Sequence, residues 1–298
     1  MKHLRQFLPF SLMVLATFPF AVLPYRAALR VGDALGLLIY AFWRSRRKVA
    51  LENLNSAVGR NAILLGTDPR SVIRQNFRNL GRFLIEVVKI YYGFGDSIFR
   101  NVELHGAENF RKAREKGKGV IFITGHCGNW ELMAVYVSMN LTRVKIVARK
   151  QDNRYINRFI ERTREKYGNL VIYKEGALKK LLSSLKKGEA VGILMDQSVI
   201  RTEGIVVPFL GKDAYAMKTP AILARKTGTP VVPVFIRRTG NGHHLIEIGE
   251  EIPLAVSADS EAALRQDTIN FIKPIEEYIK KYPSDWLWIH RRWKRIKD

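Results

Sequence analysis

The run Gly125 to Glu131, GHCGNWE, contains the residue types best suited to chemistry in this chain. An imidazole that is hydrogen-bonded to a carboxylate is held in one tautomer. Its other nitrogen can then take the proton of a hydroxyl that attacks an acyl carbon. His126 and Glu131 could form such a pair and support acyl transfer without an obligatory acyl-enzyme. Their spacing alone also fits a histidine that only makes structural hydrogen bonds.

The position of the pair depends on the elements around it. Two residues five apart on one straight helix are separated by about 140°, so His126 and Glu131 meet only if His126 precedes the helix. Gly125 and Gly128 permit such a turn. Val120 to Thr124 is a candidate buried strand, so we expect His126 at the carboxyl edge of a sheet, where open α/β folds bind ligands.

The rest of the chain predicts an α/β fold with a mixed, largely parallel sheet flanked by helices. Apolar residues recur at helical spacing from Ser45 to about Phe99, which predicts a helical lead-in. Short apolar runs then alternate with helical stretches, and Gly228 ends a helix predicted from Ala221 to Thr227. The further candidate strands are Val144 to Ala148, Leu170 to Tyr173, Val191 to Met195 and Val231 to Ile236.

The first residues are apolar from Phe7 to Tyr25 and are flanked by Lys2 and Arg5 before and by Arg44 to Lys48 after. We interpret them as a retained membrane anchor. Three prolines leave a spanning helix and a kinked interfacial helix as alternatives, and a buried core helix is a third. We therefore divide the chain into a membrane-associated segment, residues 1–45, and an α/β domain with the candidate acyl-transfer residues, residues 46–298, whose lead-in covers 46–100.

The chain has 298 residues, 47% of them hydrophobic, which is enough for a folded core, and a formal net charge of +23. Such an excess implies anionic partners, among them nucleic acid, anionic lipid or an acidic carrier protein. The single cysteine, Cys127, excludes an internal disulfide and fits a reducing compartment. A thiol nucleophile at Cys127 is disfavoured, because neighbouring residues on a strand or tight turn point apart.

Several other polar residues lie where a substrate could bind. Arg154, Arg158 and Arg162 share one helical face in a segment with twelve basic and four acidic residues. This basic stripe could receive lipid phosphates or an acidic carrier protein, or it could be a solvated face. Asp196 and Gln197 follow a candidate strand, so they belong to the pocket or to a structural turn.

The C-terminal run WLWIHRRWKRIKD, Trp286 to Asp298, combines three tryptophans with basic residues. Indoles and cations together are typical of a membrane interface, and packing of some of the tryptophans in the core is the alternative. We interpret His290 as structural.

Ordered motifs across the chain resemble the bacterial lipid A biosynthesis acyltransferases, the late lauroyl and myristoyl transferases, within the lysophospholipid acyltransferase superfamily. The superfamily motif H-x4-D/E is His126 to Glu131 here. The other matching segments are RRKVALENL at Arg46 to Leu54, Arg149 to Asn153, MDQ at Met195 to Gln197, VPFLG at Val207 to Gly211, VVPVFIRR at Val231 to Arg238 and WLWIHRRWK at Trp286 to Lys294.

The resemblance implies that His126 is the base and Glu131 its partner, and that Arg149 contacts the substrate or the oxyanion. Asn153 lies in the same matching segment and is included among the substrate-binding candidates. The acyl group would come from a thioester on acyl carrier protein or coenzyme A, with no other cofactor and no metal. It would pass to a hydroxyl of a lipid A precursor at the cytoplasmic side of the bacterial inner membrane, which presents an anionic surface.

Several alternatives stay open. Glu131 and the FLGKD segment, Phe209 to Asp213, depart from the glycerolipid branch, which usually has Asp in the histidine motif and an F-P-E-G-T-R-like block. This departure favours the lipid A side, although mannosylated lipids and lysophospholipids remain possible acceptors. A nucleic-acid-binding protein is disfavoured because no binding signature is found and the apolar N-terminus would have no purpose. A non-catalytic lipid-binding relative is disfavoured by the intact His126 and Glu131 pair.

Overall fold

The computed structural model describes residues 2–296, and for residues 2–4 the backbone alone. The helices are α1 (Lys2–Val22), α2 (Tyr25–Phe42), α3 (Arg44–Gly59), α4 (Pro69–Tyr91), α5 (Asp96–Phe99), α6 (Ala107–Glu115), α7 (Trp130–Asn140), α8 (Arg154–Lys166), α9 (Ala177–Lys186), α10 (Thr219–Thr227) and α11 (Ser260–Lys281). The strands are β1 (Val102–His105), β2 (Val120–Thr124), β3 (Val144–Ala148), β4 (Leu170–Tyr173), β5 (Ala190–Leu194), β6 (Gly204–Phe209), β7 (Lys212–Met217), β8 (Val231–Gly240) and β9 (His243–Ile248).

Seven strands form one sheet in the order β1-β9-β8-β2-β5-β3-β4. Neighbouring strands are parallel except β8 and β9, which are antiparallel. The remaining two strands, β6 and β7, form a separate antiparallel hairpin. The predicted mixed, largely parallel α/β fold is therefore confirmed, and β2, β3 and β4 have the predicted bounds.

The sheet is covered on both faces, as its continuous apolar strands require. Along β2, Ile121 and Ile123 belong to one core cluster, which includes side chains of α9, α10 and α11. Val120 and Phe122 belong to a second cluster, which includes the inner side chains of α7. The alternation follows the two-residue period of a strand. β2 is the central strand of the sheet, and the turn that carries His126 follows it.

The first helix is not a core helix. It continues through Pro9 and Pro19, and only 6% of the window Arg5–Val22 is buried. Leu8, Leu12 and Leu15 are more than half exposed. Among the described residues this is the one helix long and apolar enough to cross a membrane, so it is a candidate anchor. The division of the chain at residue 45 stays a prediction.

The C-terminal tryptophans pack in the core, which was the alternative to a membrane-interface role. Trp286 and Trp288 are 1% and 0% exposed and pack against each other in the core, and Trp293 is partly buried against the same cluster. A membrane-interface role for Trp286 and Trp288 is therefore wrong, because both indoles are enclosed by the protein. Lys297 and Asp298, at the end of this run, lie outside the described residues.

Candidate active site

The turn that carries His126 connects β2 to α7. Gly128 has a φ of 56°, and a Cβ built on it would lie 2.1 Å from the carbonyl oxygen of Ile236, so no other residue fits there. Asn129 ends the turn as the N-cap of α7, and its Oδ1 accepts a hydrogen bond of 3.0 Å from the backbone N–H of Leu132. His126 thus precedes the helix, and Glu131 lies in its first turn.

His126 is hydrogen-bonded to Asp196, which follows β5 at the same edge of the sheet. The imidazole Nδ1 lies 2.8 Å from Oδ1 of Asp196, and the backbone N–H of His126 donates to Oδ2 at 2.9 Å. Trp286 Nε1 also donates to Oδ2. The hydrogen-bonded partner of Nδ1 is therefore Asp196, and the sequence-based pairing with Glu131 is corrected in this respect.

The hydrogen bond between His126 and Asp196 fixes the tautomer of the neutral imidazole. A carboxylate only accepts hydrogen bonds, so the proton of a neutral His126 lies on Nδ1 and Nε2 has the free lone pair. Nε2 lies 3.1 Å from the amide nitrogen of Gln197, which we assign as its donor. His126 is 18% exposed through its side chain, so an arriving hydroxyl can replace this amide.

The buried pair also shifts both pKa values. Burial alone lowers the pKa of His126, but the charge and hydrogen bond of Asp196, with the charge of Glu131, raise it above its usual value. Burial alone raises the pKa of Asp196, but the charge and hydrogen bonds of His126 lower it to about 2. Asp196 is therefore ionised at neutral pH.

Glu131 has its own partners. Tyr91 Oη donates to its Oε2 at 2.9 Å, and Arg164 Nη2 donates to its Oε1 at 2.7 Å. The Arg164 side chain is 13% exposed and that of Glu131 is 17% exposed, so the ion pair is largely shielded from water. Burial alone lowers the pKa of Arg164, but the charges of Glu131 and Tyr91 raise it.

His126 and Glu131 open into one cavity of about 430 Å³. Near the two residues the lining combines polar side chains, among them Gln197 and Arg164, with the ring of Trp130, whose centroid lies 5.0 Å from that of His126. Deeper in, the lining is apolar and comes from the inner side of α7 and from β2, β3, β5 and β8. The apolar residues of this part are Phe122, Met133, Ala134, Val137, Val144, Ile146 and Val234.

Of the other predicted site residues, some line the cavity and some do not. Gln197 and Arg149 line the cavity, Arg149 at its exposed edge. Arg158 and Arg162 are exposed on α8 and are not among the cavity-lining residues. Asn153 caps α8 and donates to the backbone oxygen of Gln6, so its substrate role stays a prediction.

The surroundings of Cys127 and His290 fit structural roles. Cys127 is 1% exposed, and burial raises the pKa of its thiol well above the usual value, so it is poorly suited to act as a nucleophile. The backbone N–H of Ser198 donates to Nε2 of His290, which is a structural contact.

A buried network behind the turn was not found from the sequence. Glu86 of α4 is 0% exposed and accepts hydrogen bonds from Asn129, Tyr25 and both terminal nitrogens of Arg238. The pairing is bidentate, which is a strong arrangement for a shielded ion pair. It ties the N-cap of α7 to α2, α4 and β8, so the fold itself holds the turn that carries His126.

Tyr91, Arg164 and Trp286 were also missed as site residues. Each contacts the site from an element distant in sequence, α4, α8 or the C-terminal segment. Arg164 is one of twelve basic residues between Arg143 and Lys180, and nothing in their spacing distinguishes it. The composition of WLWIHRRWK indicates a membrane interface, and nothing in it indicates that Trp286 donates a hydrogen bond to Asp196.

Comparisons with known proteins agree on one family. The family model described as bacterial lipid A biosynthesis acyltransferase matches residues 1–295. The lipid A biosynthesis lauroyltransferase of Escherichia coli is 27% identical over 276 residues, which cover 91% of this chain and 87% of that protein. The palmitoleoyltransferase of the same organism is 24% identical over 274 residues, 91% and 86% of the two chains. A phosphatidylinositol mannoside acyltransferase of Mycolicibacterium smegmatis is 23% identical over 230 residues, 76% and 73%.

Proposed function

Because this chain belongs to the bacterial lipid A biosynthesis acyltransferase family, we propose that it transfers a fatty acyl group from a thioester to a hydroxyl of a lipid A precursor or a related glycolipid. The observation that carries the mechanism is the His126 imidazole, whose Nδ1 is held by the buried Asp196 while Nε2 faces the amide of Gln197 at the cavity.

In the proposed reaction, the acceptor hydroxyl replaces the Gln197 amide at Nε2 of His126. Its oxygen attacks the thioester carbonyl carbon, and Nε2 takes the hydroxyl proton. The tetrahedral intermediate then re-forms the carbonyl as the C–S bond breaks, and the departing thiolate receives the proton from Nε2. Asp196 stabilises the imidazolium that exists between these two proton transfers.

Glu131 acts on His126 in this proposal through its charge, which is one of the causes that raise the pKa of the imidazole. Its ion pair holds Arg164 at the cavity wall, where the guanidinium would lie near the reacting carbonyl. Arg149, at the outer edge of the same cavity, would contact the polar part of a substrate.

The apolar depth of the cavity would hold the acyl chain. Each methylene that leaves water contributes on the order of 0.8 kcal/mol, so a matching cavity binds the chain and discriminates between lengths. The donor would be acyl carrier protein thioester or acyl coenzyme A, and no further cofactor is proposed. The exposed Arg158 and Arg162 would receive an acidic carrier or lipid phosphates, on the cytoplasmic side of the inner membrane.

A mannosylated lipid is a second candidate acceptor, because mannoside acyltransferases are among the similar proteins. The chemistry at His126 would be the same, since both acceptors supply a hydroxyl. A lysophospholipid is a third candidate, and its acylation would place the chain outside the expected glycolipid specificity.

The test combines detergent-solubilised protein with acyl carrier protein thioester or acyl coenzyme A and the three acceptors in competition. Mass spectrometry identifies the acylated product. We expect a glycolipid product in the parent and a loss on the order of 10²–10⁴-fold in rate in His126→Ala, since the general base is removed. His105→Ala is the matched control, because His105 lies at the exposed end of β1, and it should keep the parent rate.

Turnover in His126→Ala at the parent rate would contradict the role of His126. Lipid binding without acylation of any acceptor would instead support a non-catalytic lipid-binding protein. Retention on a DNA column at physiological salt would revive the nucleic-acid alternative.

A further inference from the structure

One wall of the apolar part of the cavity includes three paired residues from the neighbouring strands β2, β5 and β3. Gly192, in the middle of β5, pairs with Phe122 of β2 on one side and with Ile146 of β3 on the other. Paired residues of parallel strands in register face the same side of the sheet. Gly192 therefore leaves a gap between Phe122 and Ile146, on the side that faces α7, and all three residues line the cavity.

A glycine in this position needs an explanation, because glycine weakens the interior of a strand. Backbone geometry does not provide one, since Gly192, unlike Gly128, has no left-handed φ. The sequence on either side, Ala190 to Leu194, is otherwise a regular buried strand. Interior glycines often mark a bulge, a bend or a site where a ligand or another backbone approaches the strand closely, and β5 has neither a bulge nor a bend at Gly192.

Val144 lines the cavity next to Gly192, on the side further from His126. A Cβ built on Gly192 would lie 3.2 Å from Cγ1 of Val144, and Val144 pairs with Ala190, one row further from His126. Val137, one of the inner residues of α7, also lines the cavity. A chain that enters beside His126 therefore passes Gly192 before it reaches Val144.

We propose that Gly192 admits the end of the acyl chain and that Gly192 and Val144 together determine the longest chain the protein accepts. The inference rests on the proposed function for the identity of the ligand. The structural observation that carries it is the gap in the row of side chains, and a glycine required only for packing would have no effect on chain length.

The experiment compares the parent with Gly192→Ala, Gly192→Val and Val144→Ala across a series of saturated acyl thioesters from octanoyl to palmitoyl. Both Gly192 variants should shift the preferred donor to shorter chains, Val more than Ala. Val144→Ala should shift it to longer chains. Because a buried methylene is worth roughly fourfold in binding, the ratio of kcat/KM between long and short donors should fall at least tenfold in Gly192→Val.

Two controls separate chain selection from damage to the fold. Gly66→Ala makes the same change in an exposed loop where a Cβ meets nothing within 4 Å, and it should keep the parent profile. The double variant Gly192→Ala with Val144→Ala should recover part of the parent preference, because the second change vacates the atom nearest the new Cβ. A merely structural role would lower all rates by the same factor.

A binding measurement without turnover distinguishes the failure of this inference from the failure of the proposed function. Free fatty acids of graded length compete with a fluorescent fatty acid bound to each purified variant. If the parent transfers no acyl chain but Gly192→Val still loses affinity for long fatty acids, the proposed function is wrong and the chain-length inference holds. If all variants keep the parent length profile in both measurements, the inference is overturned.

Discussion

At the residue scale, the two carboxylates near His126 stand in different surroundings. Asp196 is 2% exposed and accepts from the imidazole, a backbone N–H and an indole. Glu131 is engaged by Arg164 and Tyr91. Asp196 therefore acts on the imidazole by direct hydrogen bond, which sets the tautomer, whereas Glu131 acts by charge.

The first prediction concerns the pH dependence of Asp196→Asn. In the parent, the base form of His126 is lost as pH falls through a pKa raised above its usual value, so kcat/KM should decline on that acid side. Removing the Asp196 charge lowers the pKa, and the acid limb should move to lower pH. The plateau should nevertheless fall by on the order of 10²–10⁴-fold, because the tautomer is no longer fixed.

The comparison for this prediction is Glu131→Gln, measured over the same pH range. It removes a smaller contribution to the pKa of His126, so its acid limb should move in the same direction by less. An Asp196→Asn profile whose acid limb stays at the parent position would show that Asp196 does not control the protonation of the base.

The sequence predicted which residues lie near the site, but it did not predict which of them form hydrogen bonds with each other. His126 and Asp196 were placed at one sheet edge because each follows a buried apolar run, and parallel strands end at the same edge. The choice between Asp196 and Glu131 as the partner of Nδ1 depends on side-chain directions within the turn. Periodicity does not contain that information.

At the element scale, close packing of α2 on α4 supports the site from outside. Gly32 and Gly36 lie one turn apart on α2 and face Gly81 of α4. A small residue at such a crossing lets two helix backbones approach closely. The same α4 contributes Glu86 to the buried network and Tyr91 to Glu131, so the crossing positions both.

Gly81→Ala should therefore destabilise the protein, although alanine is ordinarily favoured over glycine in a helix by about 1 kcal/mol. Its Cβ would lie 2.0 Å from the carbonyl oxygen of Gly32 and 2.5 Å from the backbone nitrogen of Gly36. These are backbone atoms, so one helix must move. We expect a loss of about 1–3 kcal/mol in the free energy of unfolding, seen as a lower Tm.

Gly59→Ala is the control for that measurement, because Gly59 ends α3 and a Cβ there meets nothing within 4 Å. Its Tm should equal that of the parent or exceed it. If Gly81→Ala is as stable as Gly59→Ala, the close approach of α2 and α4 is not tight in solution.

Elements with a strong hydrophobic pattern were predictable, and weakly patterned ones were not. Val120–Thr124 is buried at every position and has the predicted bounds, whereas β1 is four residues with alternating exposure. The hairpin of β6 and β7 contains Pro208 and the charged pair Lys212 and Asp213. These strands depend on tertiary partners more than on their own apolar content.

At the scale of the whole molecule, the basic residues behind the net charge of +23 lie both on a helix that lines the cavity and on a helix that does not. Arg158 and Arg162 are exposed on α8, and the inner side of the same helix lines the cavity through Asn157, Ile160 and Arg164. Arg111 and Lys112 are exposed on α6, which contributes no lining residue. Removing two charges from α8 or from α6 therefore distinguishes attraction of a partner by α8 from attraction by the overall charge.

The double variant Arg158→Ala with Arg162→Ala tests whether α8 receives an acidic carrier protein. It lowers the formal charge from +23 to +21, that is 23 − 2. We expect KM for acyl carrier protein thioester to rise severalfold at low salt and to depend less on salt than in the parent, because the screened attraction between exposed charges is reduced. The kcat at saturating donor should stay within twofold, since neither residue contacts His126.

Arg111→Ala with Lys112→Ala makes the same change in net charge on α6 and decides between the two explanations. If docking is local, this control keeps the parent KM and salt dependence, because charges more than about 10 Å from the contact are largely screened at 0.1 M salt. If both double variants raise KM equally, only the overall charge attracts the carrier. If neither does, the donor does not approach through α8, and the role of this basic surface shifts to the lipid.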